Sequence, residues 1–301
     1  MTVSSRWIPL FLVGSALLAQ VPPPPPPPPA PPAPPAPSIG VDMPSGSRTE
    51  QRTEKLAQGA KLWVKNRNGG IRVTGWERDE VALTAQIRDS EKRRVELVLQ
   101  RKGSDLDIEA VFQQPSWSFG VYISPRCEMT LQVPHRLLGY FRTTNGTVTA
   151  ENLDGYARCE ATNGSIQVHH IRGEVHVDTT NGPIEARSLA ARIKGSTTNG
   201  RIVLEDIEGG IHLETTNGSI RARNLDGWGE GIQLESTNGS IEVELGKATG
   251  DLIAENSNGS LEVRVPGGQV IEQTKHSARV KVPGRSQSIR LETTNGSIRV
   301  K

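Results

Sequence analysis

From residue 141 onward the apolar residues fall in pairs two positions apart, each pair divided from the next by polar residues or glycine. The asparagine of a recurring Asn-Gly makes a convenient origin. Three positions after it stand Val148, Ile166, Ile184, Ile202, Ile220, Ile241, Leu261 and Ile298, and five after it Ala150, Val168, Ala186, Leu204, Ala222, Val243, Val263 and Val300. Before it, at six and four positions, come Ala157, Val175, Ile193, Ile211 and Ile232, then Cys159, Val177, Gly195, Leu213 and Leu234. Pairs two apart are the strand period, with the intervening residues turned to water. A third apolar file, Leu153, Ile171, Leu189, Ile207 and Leu225, follows each second strand.

The origins are Asn145, Asn163, Asn181, Asn199, Asn217, Asn238, Asn258 and Asn295, and Ser277-Ala278 reads as a degenerate copy between the last two. Counting that copy, the steps are 18, 18, 18, 18, 21, 20, 19 and 18. Asn-Gly between alternating apolar residues ordinarily predicts a hairpin. A hairpin gives no reason for every column to keep its identity through successive copies, whereas stacked coils do. The sequence therefore predicts an all-β, single-stranded, right-handed parallel β-helix (β-solenoid) with about 18 residues per coil. The hand follows the usual sense of parallel crossovers. The eight asparagines form its turn ladder, with Asn-Gly at one corner, and Asp-Gly or Glu-Gly at another, expected to supply positive φ.

Outward columns support the stack. Arg158, His176, Lys194 and His212 stand five before the asparagine, and Glu160, Asp178, Glu214, Glu235, Glu255 and Glu292 three before it. Adjacent basic and acidic stripes offset like-charge repulsion along each column. Each exposed pair contributes only about 0–1 kcal/mol, so burial and backbone pairing carry the fold.

Upstream, residues 1–19 have the make-up of a cleaved export signal, an uncleaved anchor being the alternative. Residues 20–60 read as a linker whose Pro22–Pro37 run favours a semi-rigid polyproline stalk, followed by a polar, poorly ordered stretch. Residues 61–301 are one β-solenoid domain: an irregular β region over 61–140 and regular coils over 141–301. The coil template appears once early, around Asn68-Gly69. The chain stops inside a repeat, so the C-terminal coil is expected to be uncapped and open to end-to-end self-association.

These features together resemble the bacterial putative-adhesin family also called Toast-rack. The resemblance rests on Gly75-Trp76, on a strand ending in Val133-Pro134, and on coils such as Asn163-Gly164-Ser165-Ile166-Gln167-Val168. It implies a cell-envelope β-solenoid, exported to the periplasm or cell surface, with adhesive or surface-stress roles, and it brings no catalytic residues.

Candidate chemistry adds little. Net charge is +2 with 23% charged residues, and no basic patch carries interleaved aromatics, so nucleic acid is not an expected partner. No nucleophile elbow, phosphate loop or metalloprotease helix occurs, and no cofactor or metal is expected. His169, His170 and His176 share one coil but belong to different columns. Cys127 and Cys159 read as two separately buried thiols, a disulfide being the alternative that export would permit. Trp228, beside a three-residue expansion, together with Trp117, Phe119 and Tyr122, are the candidate partner-binding aromatics. The expected partner is a cell-surface polymer or another envelope protein.

Overall fold

The computed structural model describes residues 46–89, 94–113, 124–227, 229–284 and 287–301, all in one compact unit. Its regular elements are all strands. In the Asn163 coil, Asp154–Asn163 runs to the Asn-Gly corner and Ile166–His169 leaves it. Both strands pair in parallel with their equivalents in the next coil: Ala157 with Val175, Cys159 with Val177, Ile166 with Ile184 and Val168 with Ala186. The pattern continues through Ile193, Ile211 and Ile232, so the expansion after Asp226 is absorbed without loss of register. The fold is thus all-β and solenoid-like, built on two parallel strand files.

The apolar columns face inward as the periodicity requires. Val148, Val168, Ile184, Leu204, Val175, Ile193, Leu213 and Ile289 are fully buried. Burying aliphatic side chains at about 25 cal/mol per Å² is the main stabilising term, and a parallel file needs that burial because it has no hairpin to hold neighbours together.

The two corners differ. The second is the left-handed one: Asn152, His170, Ser188, Asp206 and Asn224 have φ of 56°, 53°, 52°, 56° and 50°. Gly155 (φ 124°) of Asp154-Gly155 and Gly209 (φ 142°) of Glu208-Gly209 follow it, as expected, and Gly173 (φ 107°) does the same after Arg172. At the Asn-Gly corner the expectation of positive φ fails. No asparagine of the ladder adopts it, and among its glycines only Gly146 and Gly259 do. Glycine is required there for room instead. A Cβ on Gly200 would lie 1.9 Å from the carbonyl oxygen of Gly182, and one on Gly218 equally close to that of Gly200.

Chain order and stacking order part company at both ends. The early template does form a coil, from Lys61–Lys65 and Ile71–Trp76. It sits between the Asn145 coil and a later one, since Leu62 pairs with Leu106 and Gly139, and Ile71 with Met129 and Val148. Beyond that outer coil, Val95–Lys102 and Glu80–Asp89 pair antiparallel to its two strands. Gly46–Lys55, placed in the linker by composition, is a strand antiparallel to Glu80–Asp89. Its alternating Arg, Thr and Glu side chains suit an outermost strand, where charge discourages further pairing.

The downstream end corrects two expectations. Ser277–Val282 is not a coil: it runs antiparallel to Gly250–Asn258 and forms a hairpin with Gln269–Gln273. Nor is the Asn295 coil an open end. Ser288–Asn295 lies between two strands, Ile289 pairing with both Ile232 and Leu252, and Ile298–Val300 lies between Ile241–Glu244 and Leu261–Val263. Hydrogen-bonded on both sides, it offers no edge for end-to-end growth. Because every coil has the same register, the Asn238 coil accepts the Asn295 coil as readily as the Asn258 coil.

Candidate binding surface

The asparagine corner is a structural spine. Asn163 Nδ2 donates to Asn145 Oδ1 at 3.0 Å, and Asn181, Asn199 and Asn217 each donate to the preceding asparagine at 2.8–2.9 Å. Asn238 donates to Asn217, Asn295 to Asn238, and Asn258 to Asn295, so the ladder follows stacking order and not chain order. Between the two ends of the ladder each amide is donor to one neighbour and acceptor from the other, a use of both groups that no other side chain of that size permits. Just inside runs a hydroxyl file: Thr179, Thr197 and Thr215 donate to the carbonyls of Gly164, Gly182 and Gly200 at 2.9–3.0 Å. These threonines are buried and their neighbours Thr180, Thr198 and Thr216 exposed, as alternation demands. This corner is built to stack.

The charged stripes lie on one outward face. Arg158 pairs with Glu160 and stands 3.7 Å from Asp178, while His212 lies 3.0 Å from Glu214. The hydrogen bond from His176 holds the Glu174 carboxyl below its ordinary range, and the bond to Glu160 holds the Arg158 guanidinium above its own. Lys194 reaches Glu230 of the expansion at 3.4 Å, because Ser196 occupies the acidic position in its coil. His169, His170 and His176 do not converge. His176 pairs with Glu174, His170 faces Glu151 at 4.0 Å, and burial lowers the His169 pKa.

The same face carries an aromatic file that the repeat reading missed. Trp63 and Tyr140 stack at 5.4 Å with 13° between ring planes, and Tyr140, Tyr156 and His176 continue at 5.5 and 5.3 Å. Trp63 and Tyr140 stand five before Asn68 and Asn145, in the column read only for its basic members. Their faces are turned to one another along the stack, so the file ties the irregular coil to the regular ones.

A long groove follows the left-handed corner, about 880 Å³ in volume, from Trp76 and His135 to Asn224 and Lys247. Its midline is the file Asn152, His170, Ser188, Asp206 and Asn224, one side chain per coil. Left-handed backbone costs a residue with a Cβ about 1–2 kcal/mol, least for Asn and Asp. Glycine would avoid that cost, yet all five coils keep a side chain there. Along one bank run Asp154, Arg172, Glu208 and Asp226. Asn224 donates to Asp206 across one coil spacing at 2.5 Å. At the upstream end, Trp76 Nε1 donates to the Glu80 carbonyl while Arg78 covers its ring at 4.9 Å.

Of the sequence-predicted residues, the eight asparagines come together in one ladder. Trp228, Trp117, Phe119 and Tyr122 lie outside the described residues, as do the export signal and the proline run. Cys127 and Cys159 are buried free thiols, each pushed up to about 12 by burial.

Stacked coils, a glycine-and-amide spine and antiparallel strands at both ends define a solenoid-like β domain of the Toast-rack type. The chain belongs to that family: the Toastrack DUF4097 profile matches residues 60–301. No curated protein matches it. Among solved structures it is similar to a putative cell adhesion protein from Clostridium sporogenes, at 14% identity and TM-score 0.27, covering 84% of this chain and 99% of that one. A putative lipid binding protein from Parabacteroides distasonis aligns at 12% identity and TM-score 0.46, covering 87% and 99%. A putative adhesin from Bacteroides fragilis aligns at 12% identity and TM-score 0.33, covering 84% and 97%.

Proposed function

We propose that this protein is a non-enzymatic, exported binding protein of the cell envelope, acting at the periplasm or cell surface. Its domain is a right-handed parallel β-helix of about 18 residues per coil, and its long side binds a surface polymer or another envelope protein. The observation that carries this reading is the groove, in which successive coils set one polar side chain after another along a single line. A rigid file of this kind suits a partner that is itself extended and repetitive. The export signal and proline stalk predicted from the sequence fit a domain held away from a membrane. Membership of the Toastrack family is consistent with that role.

The test is sedimentation of the purified protein with isolated envelope fractions and with intact cells. Saturable co-sedimentation is expected, along with weakened attachment or envelope-stress responses in cells lacking the protein. No co-sedimentation, together with unaltered attachment and stress responses, would overturn the proposal.

A further inference from the structure

Resting on that reading, we propose that the groove along the left-handed corner binds a linear, uncharged polysaccharide laid parallel to the stack. The first argument is residue choice. Five successive coils place Asn152, His170, Ser188, Asp206 and Asn224 at φ between 50° and 56°, a conformation that glycine adopts without strain. Keeping a polar side chain at each of the five therefore has a use other than turning the chain.

The second argument is spacing. Coils stack at one strand separation, roughly 4.8 Å. The groove thus offers one hydrogen-bonding side chain for about each pyranose unit of an extended glycan. Carboxylates and amides accept from, or donate to, neighbouring sugar hydroxyls in pairs. The floor residues Leu153, Ile171 and Leu189 are almost wholly buried, so contact in the groove is polar rather than greasy.

The third argument is charge. Asp206 on the midline, Asp154, Glu208 and Asp226 on the bank, and Glu77 at the upstream end line the groove. Arg136, Arg172 and Lys247 stand among them, with Arg136 3.9 Å from Asp154 and His135 3.5 Å from Glu77, so the carboxylate excess lies downstream, at Asp206, Glu208 and Asp226. An anionic polymer meets like charge over that stretch, whereas a neutral polyol meets acceptors.

Affinity electrophoresis of the full chain through gels containing linear β-1,4-glucan, β-1,3-glucan, β-1,4-mannan or dextran tests the proposal, with hyaluronan as the polyanionic comparison. The triple variant Asn152→Gly, Asp206→Gly, Asn224→Gly removes the side chains while easing the backbone, so its melting temperature should be unchanged or raised. Retardation by at least one uncharged polysaccharide is expected, weakened tenfold or more in the triple variant. Retardation by hyaluronan alone, equal retardation of both proteins, or none with any uncharged polymer overturns it. If envelope co-sedimentation survives the triple substitution, the surface-binding role stands and the groove is not its site; if the unsubstituted protein does not co-sediment at all, that role itself fails.

Discussion

At the scale of single residues, the stacked corner replaces conformational preference with clearance. The Asn-Gly pair was legible as a turn, but its cause was not. Sequence suggests positive φ, and the structure instead brings the carbonyl of one glycine within 2 Å of where the next would carry a Cβ. Gly200→Ala should therefore cost about 3 kcal/mol or more, since backbone must move to admit the methyl group. Gly46→Ala, with open space around it, should change stability by less than about 0.5 kcal/mol. Urea denaturation of both variants checks the pair. Thr215→Val keeps the shape but deletes the bond to the Gly200 carbonyl, for an expected loss of about 1 kcal/mol by the same measurement. The two thiols make a different prediction. Their folded pKa lies near 12 against an ordinary 9.0, so the unfolded chain loses their protons first as pH rises. The stability they contribute is complete below 9 and is lost on the way to 12, at about 1.4 kcal/mol per pH unit for each thiol. A Cys159→Ala variant should show a shallower alkaline decline in its urea midpoint than the parent, and identical slopes would contradict the assignment.

At the scale of strands and coils, register was readable and neighbour order was not. The inward files, the parallel pairing and the absorbed expansion after Asp226 all follow from columns that keep their identity. Those columns are equally satisfied by any order of coils, because Asn238, Asn258 and Asn295 stand in equivalent frames. The order is settled by the hairpin Gln269–Gln273 with Ser277–Val282, whose antiparallel pairing to Gly250–Asn258 fills the side a following coil would have taken. Sequence showed this only as a failed repeat at Ser277-Ala278. The groove was half visible: a polar column seven positions after each of the first five asparagines can be read directly, but its left-handed backbone cannot. Neighbour order has a direct test. Glu255 is paired in register with Glu292, and Glu235 with Glu292, so Glu235 and Glu255 stand two spacings apart. Oxidation of the Glu255→Cys, Glu292→Cys variant should give a disulfide seen by mass and gel mobility. The Glu235→Cys, Glu255→Cys variant should not, because disulfides need Cα atoms within about 7 Å. The reverse outcome would restore simple chain order.

For the whole domain, stability should be graded along the stack, since each coil is held only by those beside it. Amide hydrogen exchange is expected to be slowest in the coils of Asn163, Asn181 and Asn199. It should be fastest in Gly46–Lys55 and in the fully exposed strand Gln269–Gln273. Uniform protection would instead mean one all-or-none unit. The tucked positions of the Asn68 and Asn295 coils carry a further consequence, for how such a protein can change size. A duplicated unit added beyond either would find no vacant side, while one spliced between the Asn181 and Asn199 coils would meet matching faces above and below. Lengthening of this architecture is therefore confined to its middle, with the two closures carried outward unaltered.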